Sequence, residues 1–487
     1  MDGYSPPPGS IPTLPVPDLS GIRRVHLVGI GGAGMSGIAR LLLARGVRVS
    51  GSDLKDGPAL PALREEGASV HVGHDSALID GVDAVVVSTA IGPGNPEVEE
   101  ARSRGIPVLA RAQVLAALSR EGRTVAVAGT HGKTTTTSMV AVILERAGLD
   151  PTYVIGGDLN ESGSNARSGN GDLFVAEADE SDGSFLLLSP DVAVVTNVEE
   201  DHLDFFTDRE EIEAAFTAFC RRATVVVACG DDPGVRRVLG GTAIPAVTYG
   251  ESPQNDVRVE RVDVRPEASS CVVRWTDATQ ELTVPLPGRH QLLNATAALT
   301  AARHLGVAPD IAAAALGTFR GVRRRYEGRG SIAGAAFVDD YAHHPTEIAA
   351  TLTAARASSD AGDGSGRVVA VFQPHRYTRT AAMWRELGRS LVGADLAVVT
   401  DVYAAGERPV PGITGKLIVD ALSEAAPGKR VVYLPHRADL APFLARELRS
   451  GDLVLTLGAG DVTMVSEEIL ARLGPTDPQT SEGPGGG

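Results

Sequence analysis

Lys133 sits behind two glycines in the stretch Val125–Thr137, VAVAGTHGKTTTT. Glycine, lysine and threonine in that order are the parts of a phosphate cradle. Backbone N–H groups surround the anion, the ammonium neutralises it, and a hydroxyl is left for a divalent cation. The loop is shorter than G-x-x-x-x-G-K-[ST], which opens on a glycine where this chain has Val127. Lysine is scarce here: Lys55, Lys133, Lys416 and Lys429 are the only ones among 45 basic residues, so a lysine kept inside a Gly-Thr loop argues for a role. Two acidic strand ends follow, DLFVAEADESD (Asp172–Asp182) and DVAVVTNVEEDHLD (Asp191–Asp204). A carboxylate and an imidazole at the ends of parallel strands, beside a phosphate loop, suit an Mg–nucleotide site. Glu177 and His202 are the candidates. An isolated glutamate is more often a solvated surface residue, but Glu177 leads from an apolar strand into a polar cluster. His202 has a second reading, orienting substrate or a neighbouring carboxylate, because Mg²⁺ prefers oxygen.

A second glycine loop lies upstream, in RRVHLVGIGGAGMSGIARLLLARGVRVSGSD. Gly29, Gly31 and Gly34 fit G-x-G-x-x-G between a strand and a helix, and Asp53 stands where a ribose-binding acid belongs. Taken alone this motif suggests an NAD-dependent dehydrogenase, or a purely structural turn. Its context makes it a nucleotide-binding βαβ unit without saying which nucleotide.

The elements that must hold these loops fall into three blocks, as a chain of 487 residues suggests. Residues 20–120 read as a Rossmann-like domain, with further strands at Asp83–Ile91 and Ile106–Ala110. Residues 121–324 read as a central P-loop domain: the strand RTVAVAG, the helix TTTTSMVAVILERAG, then VRVERVDV, SCVVRWTD and ELTVPL alternating with period two as a small antiparallel sheet. Residues 325–471 read as a second Rossmann-like domain, with strands at AAFVDDY, RVVAVFQP, DLAVVTDV, RVVYLP and DLVLTLGAGD. The fold class is α/β throughout. The Pro/Ser/Gly-rich arm 1–19 and the tail 472–487 read as disordered, and Ala357–Gly366 as a flexible loop.

Composition narrows the partners. A net charge of -16 argues against nucleic acid or an anionic membrane, which need a basic surface. No apolar run approaches a membrane span, and the N-terminus has no signal-peptide pattern. Cys220, Cys229 and Cys271 form no CxxC and read as buried thiols of a reducing compartment. A cytoplasmic protein is expected.

The motifs GIGGAGMSGIA, GTHGKTTTT, EADESD, TNVEEDHLD, PGRHQLLNA, FRGVRRRYE, VDDYAHHPTE and FQPHRYTRT together resemble the Mur ligase family, over nearly all of residues 20–470. The short loop G-T-x-G-K-T is that family's own form. One departure is visible: the family commonly has Asn where Gln291 follows His290. The resemblance implies ATP-dependent joining of an amino acid, L-alanine, to the carboxylate of UDP-N-acetylmuramate through an acyl phosphate. It implies Mg²⁺, two ions, and a monomer or homodimer. ATP would be held by Gly129, Thr130, His131, Gly132, Lys133, Thr134 and Thr135, with His290, Asn294, Arg325, Asp340 and His344. Thr134, Glu177 and His202 would hold metal, and Lys133, Glu177 and His202 would be catalytic. Asp179, Glu180 and Asp182 would shape the site by hydrogen bonds. Gly31, Gly32, Gly34, Met35 and Ser36 would cradle the UDP diphosphate, with Asp53 on the ribose and His71, Ser88 and Thr89 as further contacts. Tyr341, His375, Arg376 and Arg379 would form the amino-acid pocket, since an arginine fork binds a carboxylate bidentately. For Arg323–Arg325 a solvated basic patch is the plain alternative, and for His343 and His344 a capping or core role.

Three other readings stay open: a sibling ligase adding a peptide to the same sugar nucleotide or acting on folates, a nucleotide-binding protein without catalysis, and an NAD oxidoreductase. Some Mur ligases use a carbamylated lysine in the central domain, where this chain has Lys133 alone. Its activity should therefore be indifferent to bicarbonate. Assays of carbonate-depleted protein with and without added bicarbonate check this, and stimulation would count against it.

Overall fold

The computed structural model describes residues 14–203, 205–360 and 366–473. The arm as far as residue 13, Asp204, residues 361–365 and the tail from residue 474 lie outside them; the first part of the expected loop, Ala357–Asp360, is instead the last turn of the helix Pro345–Asp360. Three sheets hold the described strands. The first is parallel, built from β1 (Arg24–Val28), β2 (Arg48–Asp53), β3 (Ser69–Val72), β4 (Ala84–Val87) and β5 (Val108–Ala110) in the order β3-β2-β1-β4-β5. The order reverses beside β1, so the glycine loop after β1 opens at the topological switch point, where α/β sheets bind ligands.

The second sheet has ten strands: β6 (Arg123–Ala128), β7 (Thr152–Val154), β8 (Ala166–Arg167), β9 (Leu173–Glu177), β10 (Val192–Val195), β11 (Val225–Cys229), β12 (Ala246–Gly250), β13 (Val257–Val264), β14 (Ser269–Arg274) and β15 (Thr279–Val284). Their order is β15-β14-β13-β12-β11-β10-β6-β9-β7-β8. β6 lies between β10 and β9, parallel to both, so the second glycine loop again opens at a switch point with Glu177 at the end of the adjacent strand. The period-two strands form tight hairpins at Arg265–Ala268 and Trp275–Ala278. They are not a separate layer: β13 pairs in parallel with β12, Tyr249 opposite Val257, so hairpins and parallel strands make one continuous sheet.

The helix Arg209–Cys220 shows how sequence dictates packing here. Asp208 caps it by accepting from the Glu211 N–H at 2.9 Å, and Ile212, Ala215, Phe216 and Phe219 recur at helical spacing and are buried. Phe185 meets Phe216 edge-on at 5.3 Å and stacks on Phe219 at 5.0 Å. Leu14 and Val16, from the proline-rich arm, pack against the same core, and the Gln113 amide donates to the Pro15 carbonyl at 2.7 Å.

The chain divides into two compact units. The first two sheets share one unit. The helix Ala33–Ala44 lies against β7 and β8 closely enough that a Cβ at Gly37 would be 3.1 Å from Val154 Cγ1, and Val154, Ala166, Phe174 and Ala176 join the core of the first sheet. The second unit, essentially Arg323 onward, carries β16 (Glu327–Ile332), β17 (Ala335–Asp340), β18 (Val368–Phe372), β19 (Leu396–Val399), β20 (Arg430–Tyr433) and β21 (Leu453–Leu457) in the order β16-β17-β21-β18-β19-β20. β16 is an antiparallel edge, and its glycine-rich sequence EGRGSI hides it from a β-propensity reading. No helix among the described residues is long and apolar enough to cross a membrane. All three cysteines are buried and unpaired by disulfides, and burial pushes the Cys220 thiol up to about 12.

Phe216→Ala should remove one buried ring of the aromatic cluster and destabilise the first unit by about 3–5 kcal/mol. Urea unfolding followed by circular dichroism checks this, with the first transition moving to lower denaturant.

Candidate active site

Gly129 and Gly132 hold the turn after β6 with φ of +139° and +77°. A Cβ at Gly129 would collide with Thr196 Oγ1, and one at Gly132 would be 2.6 Å from Asn294 Oδ1. Glycine is therefore required twice, and Asn294 is placed against the loop. The loop is strapped to the end of β10: Thr130 N donates to the Asn197 carbonyl at 3.2 Å, His131 N to Asn197 Oδ1 at 2.7 Å, and Glu199 N to Thr130 Oγ1 at 2.9 Å. The helix Lys133–Arg146 starts at once, with Thr134 and Thr135 buried in its first turn. His290 and Asn294 lie on the helix Arg289–His304.

Lys133 folds back over this loop. Its Nζ donates to the Gly129 carbonyl at 2.6 Å, the Thr130 carbonyl at 3.2 Å and Glu180 Oε1 at 2.8 Å. Burial works against the ammonium, but Glu180, with Asp179 and Glu177 behind it, outweighs burial and holds the pKa above the ordinary lysine value. Thr134 Oγ1 donates to Glu177 Oε1 at 3.0 Å, and Gly156 N donates to Glu177 Oε2 at 2.8 Å. His202 has φ +55°, uncommon outside glycine, and its Nε2 lies 3.6 Å from both Glu180 Oε1 and Asp201 Oδ2. Burial raises the pKa of Asp179, yet Arg111, Lys133 and His202 together depress it well below the carboxylate range. Asp182 is pushed up by burial and by Asp179. The structure thus gathers Lys133, Thr134, Glu177, Asp179, Glu180 and His202 at the ends of β6, β9 and β10.

The donors fit Mg²⁺. Thr134 and Glu177 offer a hydroxyl and a carboxylate side by side, and Glu180, 2% exposed, keeps a buried Oε2 without a hydrogen-bond partner.

At the first sheet, Gly31 N donates to Asp53 Oδ2 at 3.0 Å, so the predicted ribose acid also braces the loop. Met35 is buried in the core, and the Ser36 hydroxyl donates to the Ala33 carbonyl at 3.0 Å. His71 and Thr89 are exposed and Ser88 half-buried, none of them with a described contact to the glycine loop. Sequence reading missed two residues here. Asn165, 1% exposed, donates to the Ala33 carbonyl and to Ser36 Oγ, and accepts from Arg40. Arg111 runs across Gly34 to reach Asp179, with Nη2 3.5 Å from Oδ2. Both are distant in sequence from what they touch, and neither sits in a motif.

In the second unit, the Tyr341 ring has the guanidinium carbons of Arg324 and Arg325 at 5.0 and 4.9 Å from its centroid and His343 edge-on at 5.3 Å. His375 continues this row, 5.9 Å from His343 and stacked on Tyr403 at 5.7 Å. Burial, then Arg379 and Arg376, lower the His375 pKa to about 4, so the ring is neutral at pH 7. Arg376 has φ +68° and its N–H donates to the Tyr403 carbonyl at 2.9 Å. Arg324 bonds the Gly458 and Gly460 carbonyls at 2.7 and 3.0 Å, a structural anchor, whereas Arg325 Nη1 is 3.9 Å from Glu347 Oε1. His344 is 5% exposed, and its Nδ1 accepts from Thr346 N at 3.3 Å, a capping contact for the helix Pro345–Asp360. Asp340 accepts from Ala342 N at 2.7 Å and Tyr326 N at 3.0 Å, and burial pushes it up to about 6.

Residues 24–123 match the profile of the Mur ligase family catalytic domain, 127–302 the Mur ligase middle domain, and 324–460 the Mur ligase glutamate ligase domain. The chain belongs to the Mur ligase family. It is 48% identical to a UDP-N-acetylmuramate–L-alanine ligase of Mycobacterium sp. (strain JLS), over 97% of this chain and 99% of the relative, and 50% identical to that of Saccharopolyspora erythraea, over 93% and 94%. Among solved structures it is similar to the Mur ligase UDP-N-acetylmuramate–alanine ligase of Thermotoga maritima, with TM-score 0.78 and 30% identity over 92% of this chain and 98% of that one. A murein peptide ligase of Psychrobacter arcticus also matches, with TM-score 0.70 and 26% identity over 94% and 100%.

The raised Asp340 pKa makes a sign-definite prediction for this Mur ligase. The folded state binds that proton more tightly than the unfolded chain does. Its stabilisation is complete below the ordinary value near 3.8 and is lost as pH rises through about 6. Wild type should lose about 2 kcal/mol relative to Asp340→Asn between about pH 4 and about pH 7. Denaturant unfolding of both proteins at the two pH values measures it.

Proposed function

We propose that this Mur ligase joins L-alanine to the carboxylate of UDP-N-acetylmuramate, with ATP converted to ADP and phosphate. The observation carrying this is the Lys133–Glu177–His202 cluster beside a short Gly-Lys-Thr loop, in a chain about half identical to L-alanine ligases over nearly full length. A carboxylate resists an amine because oxide is a poor leaving group, and an acyl phosphate supplies a good one. Phosphoryl transfer asks the protein mainly for positioning and charge neutralisation. Lys133 is held ready over the loop and exchanges Glu180 for the β/γ-phosphates, while the N–H groups of Gly129–Thr134 surround them. Asn294, against Gly132, and His290 on the same helix border the nucleotide. Thr134 and Glu177 hold Mg²⁺, with His202 as a further ligand or as the group that orients the acceptor carboxylate. The bound cation would neutralise phosphate charge as it builds.

The loop Gly31–Ser36 takes the diphosphate of the sugar nucleotide, with Asp53 on the ribose and His71, Ser88 and Thr89 in outlying positions. In the second unit, Arg376 and Arg379 supply forks for the amino-acid carboxylate, while neutral His375 and Tyr341 shape the pocket. Arg325, Asp340 and His344 are the groups of that unit assigned to ATP. His344's capping bond and Asp340's backbone bonds favour support of the pocket wall over direct contact. The setting is cytoplasmic, as monomer or homodimer.

Phosphate release should require Mg–ATP, UDP-N-acetylmuramate and L-alanine together. Release without that dependence, or with a peptide in place of L-alanine, would move the reading to a sibling ligase. ATP binding without turnover would leave a binding protein. Lys133→Ala should slow turnover by about 100- to 1,000-fold, and Glu177→Gln should raise the Mg²⁺ concentration needed for half-maximal rate.

A further inference from the structure

We propose that Arg111 contacts the substrate: its guanidinium binds the diphosphate of the sugar nucleotide, exchanging for it the Asp179 carboxylate that it now holds. This rests on the reading of Gly31–Ser36 as the diphosphate seat. Arg111 opens the helix Arg111–Ser119, just past the end of β5, and its side chain lies directly on Gly34. A Cβ there would collide with Nη1 and stand 3.1 Å from Cδ and 3.2 Å from Cζ. The last glycine of the loop is therefore needed for the arginine to pass, beyond any need of the backbone itself. Gly34 belongs to the first turn of the helix Ala33–Ala44, which has no side-chain cap. The guanidinium and the N–H groups of that turn form one donor set beside the loop.

The present partner is a weak one. Nη2 stands 3.5 Å from Asp179 Oδ2, beyond hydrogen-bond length for a charged pair, with the two side chains 26% and 39% exposed. Such a pair is worth at most about 1 kcal/mol, whereas a planar fork on a diphosphate gains charge and geometry together. The other arginines of the neighbouring helix are committed: Arg40 to Glu66 at 2.9 Å and to Asn165, Arg45 to Glu121 at 2.6 Å. In a chain of net charge -16, an anionic substrate needs a local cation, and Arg111 lies on the loop with an exchangeable partner. Its departure leaves the Asp179 charge to Lys133 and His202, so filling of the first cradle is felt at the second.

Calorimetric titration of the full chain with UDP tests this. Arg111→Ala should weaken UDP binding by about 10- to 100-fold, and Arg111→Lys, which keeps charge without the fork and guards against a folding defect, by less. Asp179→Asn frees the guanidinium and should tighten UDP binding by about 2- to 5-fold. That gain should vanish in the Arg111→Ala background, a signature that a merely structural arginine would not give. Unchanged UDP affinity in folded Arg111→Ala, or an equal gain from Asp179→Asn with and without the arginine, would overturn the proposal while leaving the ligase reading standing. Wild-type protein that binds no UDP would overturn both.

Discussion

The Lys133–Glu180 ion pair is the interaction around which the first unit's site is arranged. Both side chains are largely buried, and a buried charge is tolerated only when paired and hydrogen-bonded. Glu180 pairs with Lys133 and sits within reach of His202. The depressed Asp179 is the second negative pole of the cluster. The arrangement keeps an ammonium charged over the Gly129–Gly132 turn without relying on water to solvate it. Glu177, at the end of β9, is held apart from the lysine by its bonds from Thr134 and Gly156, so the carboxylates of this cluster have separate duties.

Much of this was legible in the sequence because it is local. Gly129, Gly132, Lys133 and Thr134 are neighbours, and strand-turn-helix geometry converts their order directly into a cradle. Gly31 and Asp53 were legible for the same reason, through the βαβ spacing. What was hidden depends on contacts across long separations. Arg111 touches Gly34 and Asp179, and Asn165 touches Ala33, Ser36 and Arg40; no periodicity or motif announces either. The strand β16 was hidden by glycine, and the hairpins were seen as strands without showing that they extend the main sheet. The arm was read from its prolines, yet Leu14 and Val16 carry enough apolar surface to join a core.

The second unit shows a different division. Its histidine and tyrosine side chains form a row from Tyr341 through His343 and His375 to Tyr403, and burial, helped by the flanking arginines, keeps His375 neutral. The sequence pointed to Tyr341 and His375 but not to Tyr403, which lies after a different strand. His344 accepts from a backbone N–H and Arg324 donates to two backbone carbonyls, yet Arg324 and Arg325 both lie over the Tyr341 ring and His343 meets it edge-on.

The close approach of the helix Ala33–Ala44 to β7 and β8 has a consequence for anyone designing molecules against this protein. Because Gly37 seats that helix against Val154 and Ala166, the Gly31–Ser36 loop and the Gly-Lys-Thr loop are parts of one compact body. The span between them is then set by the packing of that helix on β7 and β8. On the proposed reading of both loops as anion seats, a bisubstrate compound carrying one anionic group for each would gain from a rigid spacer, since a flexible linker adds ordering entropy to its binding.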